Sequence, residues 1–494
     1  MWPFKRKTKR VDLYEPSASQ ERRYRHYEAA TIDRLTNGWI ATPAPVDSFL
    51  RNELPIIRAR SRQQIRDNDY AKRFISLVRS NVVGPVGVTI QAQVTRTNGE
   101  LDEPANDVLE AGFADWGASE CDLFGDLTWL DIERLAITTV GVDGEFVAIE
   151  HIGPGFGRYG YQLELMDAEQ IDITRNGPTR DGGQVRLGVE YGPDGRKRAY
   201  HFRTIDPLTG YYTSGETRVV AADRVIHCFI QEWINQTRGV PWMAPALRRM
   251  KMLAGYEDAA VIAARVGASK MGFFTSEDNG PAVFADGETD DGNLISDADP
   301  GTFEQLPAGV DFQTFDPAYP HEQFGAFVKA CLRGVASGLD ISYNTLANDL
   351  EGVNFSSIRA GVLEDREIFK GLQEWLIAKL HRRVYRNWVS AAVQQHVLTM
   401  GKTPLARPSP DYWPAAYQGR RWAWVDPKKD MDANEAAIRL GLRSRSDVIR
   451  EQGRNPDDVW REIQREQAKM KTYGIEVNTY AQAKPDAEPE TQAG

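Results

Sequence analysis

Cysteine is scarce: Cys121, Cys228 and Cys331 are the three in 494 residues, far apart and without CxxC spacing. An odd number so placed excludes a disulfide framework and points to a reducing compartment, with the thiols as small core residues. Long apolar runs are missing too. Nothing is long enough to span a bilayer, and the five basic residues among the first ten are followed by no hydrophobic region, so neither export nor membrane insertion is expected. There is no surplus of positive charge: 60 Lys and Arg against 70 Asp and Glu leave −10. That argues against a protein whose main work is gripping DNA phosphates, but not against one that DNA merely passes.

Catalytic motifs are lacking as well. Gly155-Phe156-Gly157-Arg158-Tyr159-Gly160 spells GxGxxG, yet a strand follows where a dinucleotide fold needs a helix, so it reads as a β-hairpin loop. Gly401-Lys402-Thr403 ends like a P-loop, but His396 stands in place of the first glycine and Pro404 blocks the helix that should follow. The seven histidines form no HExxH, and His227 and Cys228 on one strand point to opposite faces. They read as satisfied core or edge groups, with no metal and no cofactor expected. A metal-dependent nuclease acting on DNA has carboxylates to draw on but no ligand cluster, and it stands as the alternative to the reading below.

What is present is ordinary globular composition, 41% hydrophobic and 26% charged, in a chain long enough for about three domains. Residues 69–82 place Tyr70, Phe74, Leu77 and Val78 on one helical stripe that Gly84 and Pro85 stop. Residues 86–94 alternate like a strand up to the Asn98-Gly99 turn. Amphipathic segments at 105–116 and 128–140 follow, then strands at 145–152, 161–165, 185–191, 199–203 and 224–230, so this half predicts one α+β domain. A helix is expected over 244–268, with Pro245 in its first turn. An Asp-, Gly- and Pro-rich insert at 275–320 has short strand-like pieces at 301–306 and 310–315, and a second helix at 321–339 leads to a polar loop at 340–354. The pattern from 356 to 398 has no proline and would make a helix of roughly 60 Å, unless it kinks near Gly361 or Gly371. Helices near 433–440 and 446–452 and a polar final helix close the chain. A basic arm at 1–20 and a tail at 481–494 are expected to be flexible.

Arg66-Asp67-Asn68-Asp69-Tyr70-Ala71-Lys72-Arg73 followed by Asn81-Val82-Val83-Gly84 resembles the lambda family of tailed-phage portal proteins, where an Arg- and Asn-rich helix start precedes a VVG turn. Thr237-Arg238-Gly239-Val240-Pro241-Trp242-Met243-Ala244-Pro245 is similar to the family's RGVPW segment, and Tyr256-Glu257-Asp258-Ala259 lies in the helix after it. Asn354-Phe355-Ser356-Ser357-Ile358-Arg359-Ala360 resembles the NYSS-R start of a long helix, and Trp424-Val425-Asp426-Pro427 the family's WVDP. Departures are Asp67 and Asp69, often Asn and Pro in the family, and Pro85 in the usual glycine-rich turn. The resemblance implies an α+β phage portal fold with long helices. Its parts would be a wing over 21–240, stem helices over 241–272 and 320–339 around a small α/β clip at 273–319, a tunnel loop at 340–355, a long wing helix at 356–400 and a crown at 401–480. It further implies a dodecameric ring at one capsid vertex of the virion, assembled in the host cytoplasm. Double-stranded DNA would be packaged and ejected through it without sequence preference. The partners implied are the terminase large subunit, the major capsid protein or scaffold, and head–tail connector (adaptor) proteins.

Within that frame, Ala259, Ala260, Ala263, Ala264, Gly267, Ala330, Gly334 and Ala336 permit close helix approach, either between subunits of the ring or only within one chain. Lys329 and Arg333, four apart, are candidates for a basic ring in a mainly negative tunnel, or for salt bridges between subunits. Tyr343, Asn344 and Asn348 are expected to touch the DNA backbone while Asp349 and Glu351 repel it, in a loop that has no apolar stripe to bury and should be mobile. The plain alternative is that these residues only cap the flanking helices, with Asn354 or Ser356 as N-cap.

Overall fold

A computed structural model describes Gly38 and residues 43–269, 272–276, 287–288, 294–295, 310–314, 323–351, 355–422, 427–452 and 454–474. The expected basic arm, the tail, the strand-like piece at 301–306, Asn354 and the first three residues of the WVDP segment lie outside the described residues. Met1–Pro45 form one unit and Val46–Gly494 the other, which holds all that follows.

Helices α1 (Val46–Asp67) and α2 (Asp69–Val82) meet at Asn68, whose side chain takes the Ala71 N–H at 3.1 Å and so starts the second helix. Strand β1 (Thr89–Ala92) is shorter than the alternation at 86–94 predicts. Helices α3 (Glu103–Ser119) and α4 (Trp129–Asp143) follow, the latter opened by a Thr128–Asp131 capping box and closed by left-handed Gly144.

Strands β2 (Glu145–Ile152) and β3 (Tyr161–Met166) form a hairpin around the glycine-rich loop, as the sequence predicts, with Gly157 and Gly160 both at φ 69°. A meander comes next: β4 (Gly177–Pro178), β5 (Gln184–Arg186), β6 (Val189–Tyr191), β7 (Lys197–Ile205) and β8 (Tyr212–Ala221), neighbours in chain order. The single strand expected at 185–191 is thus two, because Leu187 and Gly188 turn the chain at φ 48° and 83°. Strand β9 (Val225–Phe229) then returns to pair with β2, giving the order β3-β2-β9.

Helix α5 (Leu247–Ser269) begins after Pro245 rather than around it. Beyond it, β10 (Gly272–Ser276) pairs with β13 (Val310–Thr314), and β11 (Gly287–Glu288) with β12 (Leu294–Ile295). Helices α6 (Phe324–Gly338), α7 (Tyr343–Ala347), α8 (Phe355–Leu376) and α9 (Arg382–Gln394) follow. A small hairpin, β14 (Thr399–Met400) with β15 (Thr403–Pro404), leads to β16 (Ala415–Gln418), which pairs with β1. Helices α10 (Pro427–Arg439), α11 (Arg445–Glu451) and α12 (Pro456–Thr472) end the described chain.

The long helix is helical from 355 to 394 and ends before the expected 398. It runs through Gly361 and Gly371 as α-helix, and its irregularity is a π turn at Ile377–His381, not a glycine kink. There His381 Nε2 lies 2.5 Å from Glu133 Oε1, which also accepts the Val88 N–H at 3.1 Å. Each buried polar group of that pair is satisfied by the other. On either side Leu376, Leu380, Val384 and Trp388 enter a core rich in aromatic rings, where Phe113 meets Trp388 edge-on at 5.2 Å.

One buried carboxylate joins α1, β2, β9 and the RGVPW segment. Glu145, fully buried, accepts from the Arg58 guanidinium, from Arg238 Nε at 2.8 Å, and from the Gly239 N–H at 3.1 Å, and it bonds His227 Nε2 at 2.7 Å. Arg238 spends its remaining N–H groups on the carbonyls of Leu187 at 3.0 Å, Ala168 at 2.8 Å and Ile171 at 3.3 Å. Burial alone would raise the Glu145 carboxyl, but Arg238 and Arg58 hold it well below the usual range; burial first of all pushes His227 down to about 4. Gly239 belongs here because a Cβ would run into the Gly144 carbonyl. Replacing Glu145 by Gln strands two buried guanidinium groups, and urea unfolding is expected to show a loss of roughly 3–5 kcal/mol.

Candidate DNA-channel and ring-assembly site

Helices α5 and α6 pack through Tyr256, which stacks on Phe324 at 5.6 Å and meets Phe327 edge-on at 4.9 Å. Gly334 is small for a reason inside the chain: the Arg249 guanidinium crosses it where a Cβ would stand. Ala260 and Ala336 are buried. Ala259, Ala264 and Ala330 are exposed and Ala263 half-buried, and Gly267 lies in the last turns of α5. Beside them on α5, Met252, Val261 and Ile262 are about 60% exposed (65%, 60% and 59%).

The segment after α6 departs from expectation. It does bury apolar groups, Ile341 and Leu346, and residues 343–347 form α7. Asp365 on α8, itself buried, holds it: the carboxylate accepts the Ser342 N–H and hydroxyl, both at 2.8 Å, and the Thr345 hydroxyl at 2.7 Å. A mobile loop without anchors is therefore replaced by a short anchored helix.

Four of the predicted residues meet here. Lys329 Nζ and the Tyr343 hydroxyl each lie 2.8 Å from Asp349 Oδ2, and the Lys329 ammonium and Arg333 guanidinium stand 5.5 and 5.7 Å from the Tyr343 ring centre. Lys329 is thus paired within its own chain. Its hydrogen bond, then that of Tyr343, lowers the Asp349 carboxyl to about 2; burial, then Asp349, pushes the Tyr343 hydroxyl up to about 12. Asn344 is half-buried, Asn348 sits exposed at φ 54° just past α7, and exposed Glu351 donates its N–H to Asp349 Oδ1 at 3.0 Å. Sequence reasoning missed Asp365, which stands in the charged run Glu364-Asp365-Arg366-Glu367 and looks like one more solvated helix residue.

The sequence model described as phage portal protein, lambda family, matches residues 33–373. The chain belongs to the lambda family of phage portal proteins. It is 31% identical over 477 residues to a probable portal protein of Halomonas phage phiHAP-1, covering 95% of this chain and 91% of that one. Portal protein B of Escherichia phage lambda is 20% identical over 490 residues, covering 90% and 89%. Among solved structures, the neck of a native gene transfer agent particle computed with C12 symmetry aligns with a TM-score of 0.44 and 12% identity, over 82% of this chain and 94% of that chain. The portal chain is therefore a structural component of the virion, at the head vertex where the DNA-packaging channel stands, and not an enzyme. Membership answers the nuclease alternative. Among the described residues no helix is long and apolar enough to cross a membrane.

Two outcomes are expected of the anchored segment. Asp365→Ala removes three hydrogen bonds to one buried carboxylate, and amide exchange at 342–351 is expected to quicken at least about tenfold while the aromatic core keeps its protection. Because the folded Asp349 carboxyl is depressed, the order it confers is complete above about pH 4 and lost as pH falls toward about 2. Exchange at Glu351 followed over that range checks this, and Asp349→Asn should abolish the dependence.

Proposed function

We propose that twelve copies close head to tail into the packaging channel, with α5 and α6 as stem, the residues between them as clip, the 340–351 segment facing the DNA, the long helix and the sheets as wing, and the residues after 401 as crown. The ring receives the terminase large subunit, sits among the major capsid protein and scaffold, and later takes the head–tail connector proteins. The observation that carries this reading is the exposed side of α5, where Met252, Ala259, Val261 and Ile262 stand in water in the single chain. A neighbouring copy would cover such a surface, and a head-to-tail contact that closes gives a ring.

The anchored segment supports the DNA role. Tyr343 and Lys329, both engaged by Asp349, can exchange that acceptor for a phosphate, while Asn348 and Glu351 remain at the surface. Contact and repulsion side by side in one short segment let a duplex pass and resist its return.

Class averages of electron micrographs should show twelve-membered rings with a central hole. Ala263→Trp is expected to give monomers or open arcs on size exclusion, and intact rings from it would count against the placement of α5. Replacing residues 343–351 by a Gly-Ser linker should leave rings and terminase docking intact but lower the DNA retained in particles. Full genomes at normal yield would refute the contact.

A further inference from the structure

Positive charge is in deficit in this chain, yet six arginines gather along the segment 413–422, and among the described residues none of them forms a salt bridge with an Asp or Glu. Arg79, Arg134 and Arg420 line a groove of about 730 Å³ between the end of α2, α4 and the residues after β16. Arg134 donates to the Gly84 and Pro85 carbonyls at 3.2 and 3.3 Å; Arg420 donates to the Ser80 carbonyl and, at 3.1 Å, to Asn81 Oδ1. Neutral acceptors orient these guanidinium groups; Arg420 is left without a carboxylate, while Asp131 in the same groove has its carboxyl lowered by its Thr128 hydrogen bonds and further by the charge of Arg134. Arg366 of α8 and Arg420 both lie against the Trp422 ring, 5.7 and 6.0 Å from its centre, and Trp422 is pinned by its Nε1–H bond to Asn81 Oδ1 at 2.9 Å.

Burial and then the charge of Arg420 lower the proton affinity of Arg366, as expected of like charges side by side. Farther along, Arg386 stands 5.5 Å from the centre of the Trp413 ring, and Arg382 and Arg386 both act on Tyr417 of β16. Asp131, the carboxylate that lines the groove, is engaged by the Thr128 N–H at 3.2 Å and hydroxyl at 2.6 Å. Among the described residues none of the six arginines pairs with an Asp or Glu.

We propose that this strip binds the phosphates of double-stranded DNA, as a second contact separate from the 340–351 segment. Planar guanidinium forks suit phosphate oxygens, and an extended ten-residue segment spans roughly 30 Å, enough for several phosphates. The strip starts one residue from the anchor of the other contact, since Asp365 and Arg366 are consecutive on α8. The inference rests on the portal reading only in taking DNA as the polyanion at hand. An acidic protein segment is the competing ligand.

Fluorescence anisotropy on the assembled protein tests it, with two unrelated 30-base-pair duplexes between about 50 and 200 mM NaCl. The double variant Arg366→Gln with Arg420→Gln is expected to bind both duplexes at least about tenfold more weakly, and the slope of log K against log salt should flatten by about 1.8, the value for two lost phosphate contacts. Arg382→Gln with Arg386→Gln should act likewise; these two side chains are exposed, so this pair tests the idea even if Arg420→Gln disturbs folding. Lysine at the same positions should restore the slope. Unchanged affinity and slope in both Gln pairs would overturn the proposal, as would strip-dependent binding of polyglutamate without strip-dependent binding of DNA. Rings are scored separately by micrographs, so failure to form a ring and failure to bind DNA are told apart.

Discussion

Glu145 is the point on which this fold turns. It is fully buried at the first residue of β2, and the chain brings to it Arg58 from α1, Arg238 from the RGVPW segment and His227 from β9. A carboxylate taken so far from water is tolerable only if its partners arrive together, and each guanidinium is equally dependent on it. The entry angle of α5 follows from this, because the chain that leaves Arg238 and Gly239 is clamped against Gly144 before it reaches Pro241. Helix α5, and α6 packed against it, therefore inherit their position from a charge cluster as well as from apolar packing.

The second constraint is Asp365. It turns the segment after α6 from a tether into a short helix fixed on α8, so that a displacement of the long helix moves Tyr343 and Asp349 with it. On the next residue Arg366 reaches Trp422 in the opposite part of the chain. Two surfaces with different chemistry, one nearly neutralised by the Lys329–Asp349 pair and one left cationic, thus share a single helical support.

The sequence shows the helices well because their signal is local. The stripe at 69–82, the amphipathic segment at 128–140 and the turn at Asn98-Gly99 each need only neighbouring residues. Strands were legible where apolar residues alternate, as at 145–152; β8 was missed because Ser214, Gly215, Glu216 and Thr217 interrupt any alternation. The break at Leu187 depends on a non-glycine residue with positive φ, which no pattern announces. The site was less readable still. Arg58 and Arg238 stand 87 and 93 residues from Glu145, so the segment holding Arg238 can be matched to a family while the charge cluster it completes cannot be inferred. Lys329 and Asp349 stand twenty apart, and nothing local in the sequence says that they touch.

The pairing of β1 with β16 carries a consequence for how the molecule is made. Thr89 faces Gln418, so strands 329 residues apart in the chain share one two-stranded sheet. At 5–20 residues per second, a ribosome takes roughly 16 to 65 s to supply the second strand after the first has emerged. Until that interval ends the edge of β1 stays open, as does the top of α2 where Arg420 will close it, while α5 and α6 are completed before the interval is over. Helices α5 and α6 are thus available before the body that carries them is complete, and the order of synthesis sets a window in which their apolar side chains, Met252, Val261 and Ile262 among them, stand in water beside an unfinished fold.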